Sequence, residues 1–363
     1  MAHSYVEYSN WEYLPSEPLV SIVMPTYNHG RYLRDAIEGV IAQQTNFPME
    51  LIIGEDGSSD DSRAIALEYW RAHPHLVRVL TADQNVGMHE NDLRILKAAR
   101  GRYLAFCEGD DCWHRADKLH VQVALLENDP KVALVCSSWR TISEEGAVLI
   151  HDELGLQKTR VYQFGLDEIL CGQVKTVTVC TRNQLVKRAL QESPLCKAGR
   201  YPFGDAPLWV AVTRKGHCLC LPEDYGTYRL SRNSATRPRE ITDVYRFIAA
   251  SCEFDRTVLG LYTLRKGTKA TTEARIAATR KRLRALALLG DAEKVRQELC
   301  WLSRLGAKIR LRDHLLYWGA FLSPPGTWRA ASRRWGLLKW HAFTCRHRQE
   351  PSGSSPQKVP CRA

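Results

Sequence analysis

The sequence predicts an α/β fold: a mainly parallel sheet with helices on both faces, followed by an α-helical C-terminal extension. Three observations carry this reading. Short β-rich runs alternate with helical patterns through the first half of the 363 residues. Those runs are almost continuously apolar, as strands buried on both faces must be. Beyond about residue 240, apolar residues recur at helical spacing. A composition of 44% hydrophobic and 25% charged residues supplies a sizeable core and excludes a disordered or collagen-like chain.

The elements follow in order. Residues 19–24 read as a buried strand, 32–43 as a helix and 50–54 as the second strand. Ser58, Ser59, Asp60, Asp61 and Ser62 are a cluster of N-cap residues, opening a helix toward Trp70. A strand over 76–80, a helix over 89–99, a strand over 102–107, a helix over 116–127 and a strand over 132–137 complete the alternation. The pattern then loosens, with a strand expected over 176–181, a short helix within 203–215 and short strands over 218–221 and 227–230. Helical periodicity over 272–289 and 291–305, broken at Gly290 and Asp291, predicts a helical hairpin. The division expected is an N-terminal arm over 1–18, an α/β domain over 19–238, a basic helical extension over 239–345 and a disordered tail over 346–363. No internal repeat is visible.

Charge is divided unevenly. Residues 1–240 hold 27 Lys and Arg against 31 Asp and Glu, whereas residues 241–363 hold 24 against 9. A strongly basic C-terminal part suits a polyanionic partner. Arg280, Lys281, Arg282, Arg284, Lys308, Arg310 and Arg312 lie near apolar positions, and Trp328, Trp335 and Trp340 follow. Basic amphipathic helices with interfacial tryptophans read as segments for an anionic membrane surface; a solvated face packed on the α/β domain reads equally well. Nucleic acid is not an expected partner, because no recognised nucleic-acid-binding fold accompanies the charge. No stretch approaches the roughly 18–20 apolar residues of a membrane span. The start has neither the basic nor the apolar segment of a secretory leader. A cytoplasmic setting, on the inner face of the membrane if the basic part binds there, is the expectation. The twelve cysteines are scattered without paired C-x-x-C spacing, and read as reduced, mostly small core residues.

Ligands of open α/β sheets bind outside the carboxyl ends of the strands. There the first strand is followed by Pro25, Thr26, Tyr27 and Asn28, and the second by Glu55, Asp56, Gly57, Ser58, Ser59 and Asp60. After the fourth come Glu108, Gly109, Asp110 and Asp111. Carboxylates repel phosphate, yet they hold it through a divalent cation such as Mg²⁺. Helix capping and turn formation explain most of residues 58–62 without a ligand. They explain Glu108 to Asp111 less well, since three acids beside an apolar strand are electrostatically poor without a counterion.

These segments, with Asn85, Val86 and Gly87 between them, stand in the order and spacing of family-2 glycosyltransferases of the GT-A (Rossmann-like) fold. Cys107 to Trp113, followed by Asp117, Lys118, Leu119 and Gln122, resembles a bacterial branch with an EGDD-x-W motif. The resemblance spans about residues 19–235 and implies a donor half over 19–137 and an acceptor half over 138–238. It puts Pro25, Thr26, Tyr27 and Asn28 in the first donor loop, with Thr26 and Tyr27 at the nucleotide base and ribose. Asp56 lies where an acid hydrogen-bonds the base, and Glu55 stands where Asp is commoner. Asn85 and Asn91 line the donor site, Asp110 lies near the ribose, and Asp111 holds a divalent metal, Mg²⁺ or Mn²⁺.

Phe203 to Trp209 resembles the segment in which an acid faces the acceptor, so Asp205 is the implied catalytic base. Asp205 also reads as a cap for the helix beginning near Pro207. Glu223 and Asp224 are rival acids. Tyr228 and Arg229 resemble a late Tyr-Arg motif, where Arg229 either meets the leaving diphosphate or is structural. The histidine that usually follows is Ser231 here, which puts any histidine contribution in doubt.

The resemblance thus implies an inverting, metal-dependent transferase of hexosyl or N-acetylhexosaminyl type. It would move a sugar from a nucleotide-diphosphate sugar, UDP-linked by expectation, to a glycan or lipid-linked acceptor in envelope or extracellular polysaccharide synthesis. The alternative is a non-catalytic nucleotide-sugar- or lipid-binding protein on the same fold.

Overall fold

The computed structural model describes residues 5–170, 172–197, 199–231, 241–262 and parts of 276–314. In chain order its strands and helices are β1 (Tyr5–Tyr8), β2 (Val20–Thr26), α1 (Leu33–Ile41), β3 (Met49–Glu55), α2 (Ser62–Ala72), β4 (Val77–Ala82), α3 (Met88–Ala98), β5 (Tyr103–Phe106), β6 (Cys112–Trp113) and α4 (Lys118–Asn128). They continue as β7 (Val132–Ser143), β8 (Val148–Ile150), β9 (Tyr162–Phe164), α5 (Leu166–Leu170), β10 (Cys180–Arg182), α6 (Asn183–Glu192), α7 (Asp205–Thr213), β11 (His217–Leu230), α8 (Ile241–Tyr262) and α9 (Ala292–Arg304).

Among the described residues the strands form one sheet in the order β1-β4-β3-β2-β5-β10-β7-β11-β6, with β8 on β7 and β9 on β11. β4, β3, β2 and β5 run parallel, so their carboxyl ends lie together at one edge. This is the predicted mixed α/β architecture, and the apolar strands explain it: Val20, Ile22, Met24, Leu51, Ile53, Val77 and Val79 lie in one core with Leu33, Ile37 and Val40 of α1. By the area rule, each such side chain contributes about 1.5–3 kcal/mol.

Three local expectations change. The segment 176–181 is not a single strand: Thr176–Thr178 is a 3₁₀ turn, and only Cys180–Arg182 pairs, antiparallel to both β5 and β7. The strands expected over 218–221 and 227–230 are one strand, β11, with irregularities between Leu221 and Gly226. Pro222 lacks an N–H for the ladder, and a bulge accommodates it without ending the strand. The strand expected over 132–137 continues to Ser143, because β11 pairs with it throughout and supplies partners for its polar half. Within the expected N-terminal arm, β1 adds an antiparallel edge strand to β4.

One compact unit takes in the described residues to Arg200 and those from Gly204 to Ser231. A second takes in Tyr201–Phe203 and the described residues from Ile241 onward. In the second, the described positions of the helix expected over 272–289 are helical. Leu283, Leu286, Ala287, Val295, Leu299 and Leu302 share its core. Arg280 and Arg282, two of the cations assigned to a basic face, turn to Asp313 and to Glu253 and Glu298. Trp328, Trp335, Trp340 and the expected tail lie outside the described residues.

Candidate functional site

The loops after β2, β3, β4 and β5 are laced together by their own side chains. Asn28 takes a left-handed conformation, φ 55°, which Asn tolerates better than most residues. Its Oδ1 accepts from Ser59 N at 2.9 Å, and its N–H donates to Ser58 Oγ at 3.0 Å. Gly30 N donates to Asp60 Oδ2 at 2.8 Å, so the loops after β2 and β3 move as one. Glu55 is fully buried; it accepts from Ser58 N at 2.5 Å and pairs with Arg63 at 2.8 Å. Asp56 accepts from Val86 N and Gly87 N, each at 3.0 Å. Asn85 accepts from Gly87 N at 2.8 Å, and buried Asn91 donates to Gly54 O at 2.8 Å. Pro25 O accepts from Gly109 N at 3.1 Å. A Cβ on Gly109 would lie 2.6 Å from Thr26 Oγ1 and 2.8 Å from His29 Nδ1, so only glycine lets this turn close on β2. Tyr27 is 43% exposed at the same edge.

The turn after β5 carries the acids. Asp111 is buried; its Oδ1 accepts from Arg229 N at 2.8 Å, and its Oδ2 is buried with no N–H or hydroxyl donor on it, only the Glu108 carboxyl beside the group. Burial and the Asp110 carboxylate push Asp111 above the ordinary carboxylate range. Burial and Asp111 push Glu108 well up in the same way. Asp110 faces His29 at 3.9 Å. A buried carboxylate oxygen lacking an N–H or hydroxyl donor, beside two further acids, is a donor set that suits a hard divalent cation. Among the described residues no group of three His, Cys, Asp or Glu forms a ready cage.

Arg229 is fixed behind this turn. It is 5% exposed, donates from Nε to Asp110 O at 2.9 Å, meets Asp35 at 3.3 Å and lies 4.6 Å from the Tyr32 ring centroid. Lys118 and Gln122, noted in the sequence beside the acidic turn, are structural. Lys118 donates to Gln122 Oε1 at 2.8 Å and lies 4.1 Å over Trp113, and its burial draws its pKa down to about 8.

Asp205 opens α7, whose residues Pro207 to Val212 are all buried, so its position is rigid. Its Oδ1 accepts from Ala206 N at 2.8 Å and its Oδ2 from Thr176 Oγ1 at 3.2 Å. Gly204, directly before it, lies against α3: a Cβ there would stand 3.5 Å from His89 Nδ1 and 3.9 Å from Asp92 Oδ2. The rival Asp224 is engaged, with His114 at 3.3 Å and Arg140 at 3.4 Å.

Two further residues join the site without a sequence signal. Asp92 is drawn up to about 7 by burial, then by Asp205 and Asp56. Lys175 lies with its Nζ 3.9 Å from the Tyr228 ring centroid and 5.8 Å from that of Trp139. Each is a single charge outside the residues the motifs single out, and only the fold brings it to the site.

Residues 21–192 match the family model described as Glycosyl transferase family 2. An uncharacterised Mycobacterium tuberculosis protein, Rv1520, is 43% identical over 128 residues, 35% of this chain and 37% of that protein. The Escherichia coli UDP-Glc:alpha-D-GlcNAc-diphosphoundecaprenol beta-1,3-glucosyltransferase WfgD is 35% identical over 108 residues, 30% of this chain and 41% of that protein. The chain thus spans well under half the length of these curated relatives. The crystal structure of S. aureus TarS 1–349 in complex with UDP-GlcNAc aligns with a TM-score of 0.51 at 15% identity, covering 80% of this chain and 93% of that one. At such identity the likeness is one of fold. The match to the glycosyl transferase family 2 model thus falls on residues 21–192, within an α/β domain of GT-A fold.

Proposed function

We propose that the protein is an inverting, divalent-cation-dependent glycosyltransferase of the bacterial EGDD-x-W branch. It takes a nucleotide-diphosphate sugar, UDP-linked, and transfers a hexosyl or N-acetylhexosaminyl group to a glycan or lipid-linked hydroxyl in envelope or extracellular polysaccharide synthesis. The observation that carries the reading is the buried Asp111 oxygen without an N–H or hydroxyl donor, set in a turn of three acids within the residues that match the family-2 model. WfgD is named for a UDP-sugar donor and a lipid-diphosphate acceptor, and TarS 1–349 was crystallised with UDP-GlcNAc. Both support the donor class.

In this reading Tyr27 offers its exposed ring to the base, beside Thr26. Asp56 holds the 85–87 loop in place and reads the base from its edge. Pro25, Asn28, Glu55, Asn85 and Asn91 hold those loops at their spacing. Asp110 faces the ribose, and Asp111 supplies the cation ligand. Asp111 would hold a divalent cation there, which would offset the charge that develops on the departing diphosphate. Asp205 accepts the proton of the acceptor hydroxyl as that oxygen attacks the anomeric carbon opposite the leaving group, giving inversion. Arg229 keeps the acidic turn in place. The excess of 24 cations over 9 acids beyond residue 240 supports an anionic membrane surface as a partner, less the charges already paired within the second unit.

The test separates binding from turnover. With UDP-sugars and a lipid extract as acceptor source, Asp205→Asn is expected to bind donor like wild type. Its release of UDP should fall by at least about a hundredfold, the contribution typical of a general base. Undiminished UDP release by the variant would remove Asp205 from that role.

A further inference from the structure

Among the described residues, two basic side chains belong to segments that hold the site's acids: Arg229, whose N–H is on Asp111, and Lys175, whose neighbour Thr176 donates to Asp205 at 3.2 Å. Arg229 is not available to a ligand. It is 5% exposed, its backbone N–H is on Asp111, and its guanidinium is shared among Asp110 O, Asp35 and the Tyr32 face. Lys175 differs in each respect. It is only partly buried, and among the described residues its ammonium makes neither a hydrogen bond nor an ion pair. What holds it is aromatic: the Tyr228 ring at 3.9 Å, with Trp139 at 5.8 Å.

An ammonium whose neighbouring residue is bonded to a carboxylate, as Thr176 is to Asp205, would ordinarily close onto that acid. Here the two rings keep it apart, with its donors unspent and directed by their attachment rather than by a protein anion. The backbone fixes the arrangement from both sides. Lys175 O accepts from Thr178 N at 2.9 Å, and Tyr228 precedes Arg229, whose N–H is bound to Asp111. The ring that carries the ammonium and the N–H that anchors the acidic turn thus belong to consecutive residues of β11.

We propose that Lys175 is the donor-diphosphate contact of this protein, binding the phosphate distal to the nucleoside. This deepens the functional reading above and rests on it. The chemistry is charge balance: a cation on Asp111 neutralises only part of a diphosphate, and the free ammonium meets the charge that grows as the glycosidic bond to phosphate breaks. The diphosphate contact thereby moves from Arg229 to a residue with donors to give.

The experiment compares UDP with UMP, and GDP and dTDP with their monophosphates in parallel, by calorimetry in Mg²⁺ or Mn²⁺ on wild type, Lys175→Gln and Lys175→Arg. Lys175→Gln should weaken the bound diphosphate by about ten- to a hundredfold, the worth of one charge-assisted hydrogen bond. It should leave the monophosphate within about threefold, and Lys175→Arg should recover most of the loss. Diphosphate affinity unchanged in Lys175→Gln, or mono- and diphosphate weakened equally, would overturn the assignment and leave the functional reading standing. Failure of every nucleotide to bind wild type would overturn the functional reading itself, and this inference with it.

Discussion

Asp56 and Asp92 lie on the same side of the sheet edge and meet opposite fates. Asp56 gives both oxygens to backbone N–H groups of the 85–87 loop. Asp92 meets burial and two like charges, which hold its proton to about pH 7. The sign for stability follows. A carboxyl with a raised folded pKa binds its proton more tightly in the native state, so stability falls as pH rises from the unfolded value of 3.8 through about 7. Asp92→Asn removes that loss. Its melting temperature relative to wild type should be higher at about pH 8 than at about pH 5. An equal difference at both pH values would contradict the placement of Asp92 among the acids. At this scale the sequence was legible where a motif concentrates charge, as at Asp110 and Asp111. It was silent at Asp92 and Lys175, whose neighbours come from remote elements. Arg229 was legible as a motif but not in its commitments: burial and Asp35, which set them, are not local properties.

At the scale of elements, hydrophobic periodicity placed most strands and helices, and it failed where pairing overrode composition. β11 is the clearest case, since Pro222, Glu223 and Asp224 read as a break while the partner strand β7 carries the chain through it. The 3₁₀ turn at Thr176–Thr178 is another: its β-branched residues suit a strand, yet Lys175 O closes a turn on Thr178. Close approach of backbones is equally hidden. Gly39 lies inside α1, where alanine is intrinsically favoured by about 1 kcal/mol. A Cβ there would stand 2.5 Å from Trp113 O and 3.0 Å from Trp113 N, backbone atoms of β6 directly after the acidic turn. Gly39→Ala should therefore destabilise by about 1–3 kcal/mol in denaturant unfolding, as overpacking does. A gain in stability would show that α1 and β6 are not in contact.

For the whole molecule, the division of charge was plain from the sequence, but its use was not. Beyond residue 240, Arg280 and Arg282 are paired with acids inside the second unit, so formal charge overstates what that unit offers a partner. Among the described residues no helix is long and apolar enough to cross a membrane. The first unit brings its acids to the carboxyl edge of four parallel strands. One turn there leaves a buried carboxylate oxygen without an N–H or hydroxyl donor. The decisive measurement is calorimetric titration of UDP, GDP and dTDP into wild type and Asp111→Ala, with Mn²⁺ or Mg²⁺ and with chelator. One nucleotide is expected to bind wild type only with the cation, and the substitution to abolish this binding while the fold persists. Binding that is indifferent to the cation, or intact in Asp111→Ala, would contradict the assignment of Asp111 as the cation ligand of a donor site.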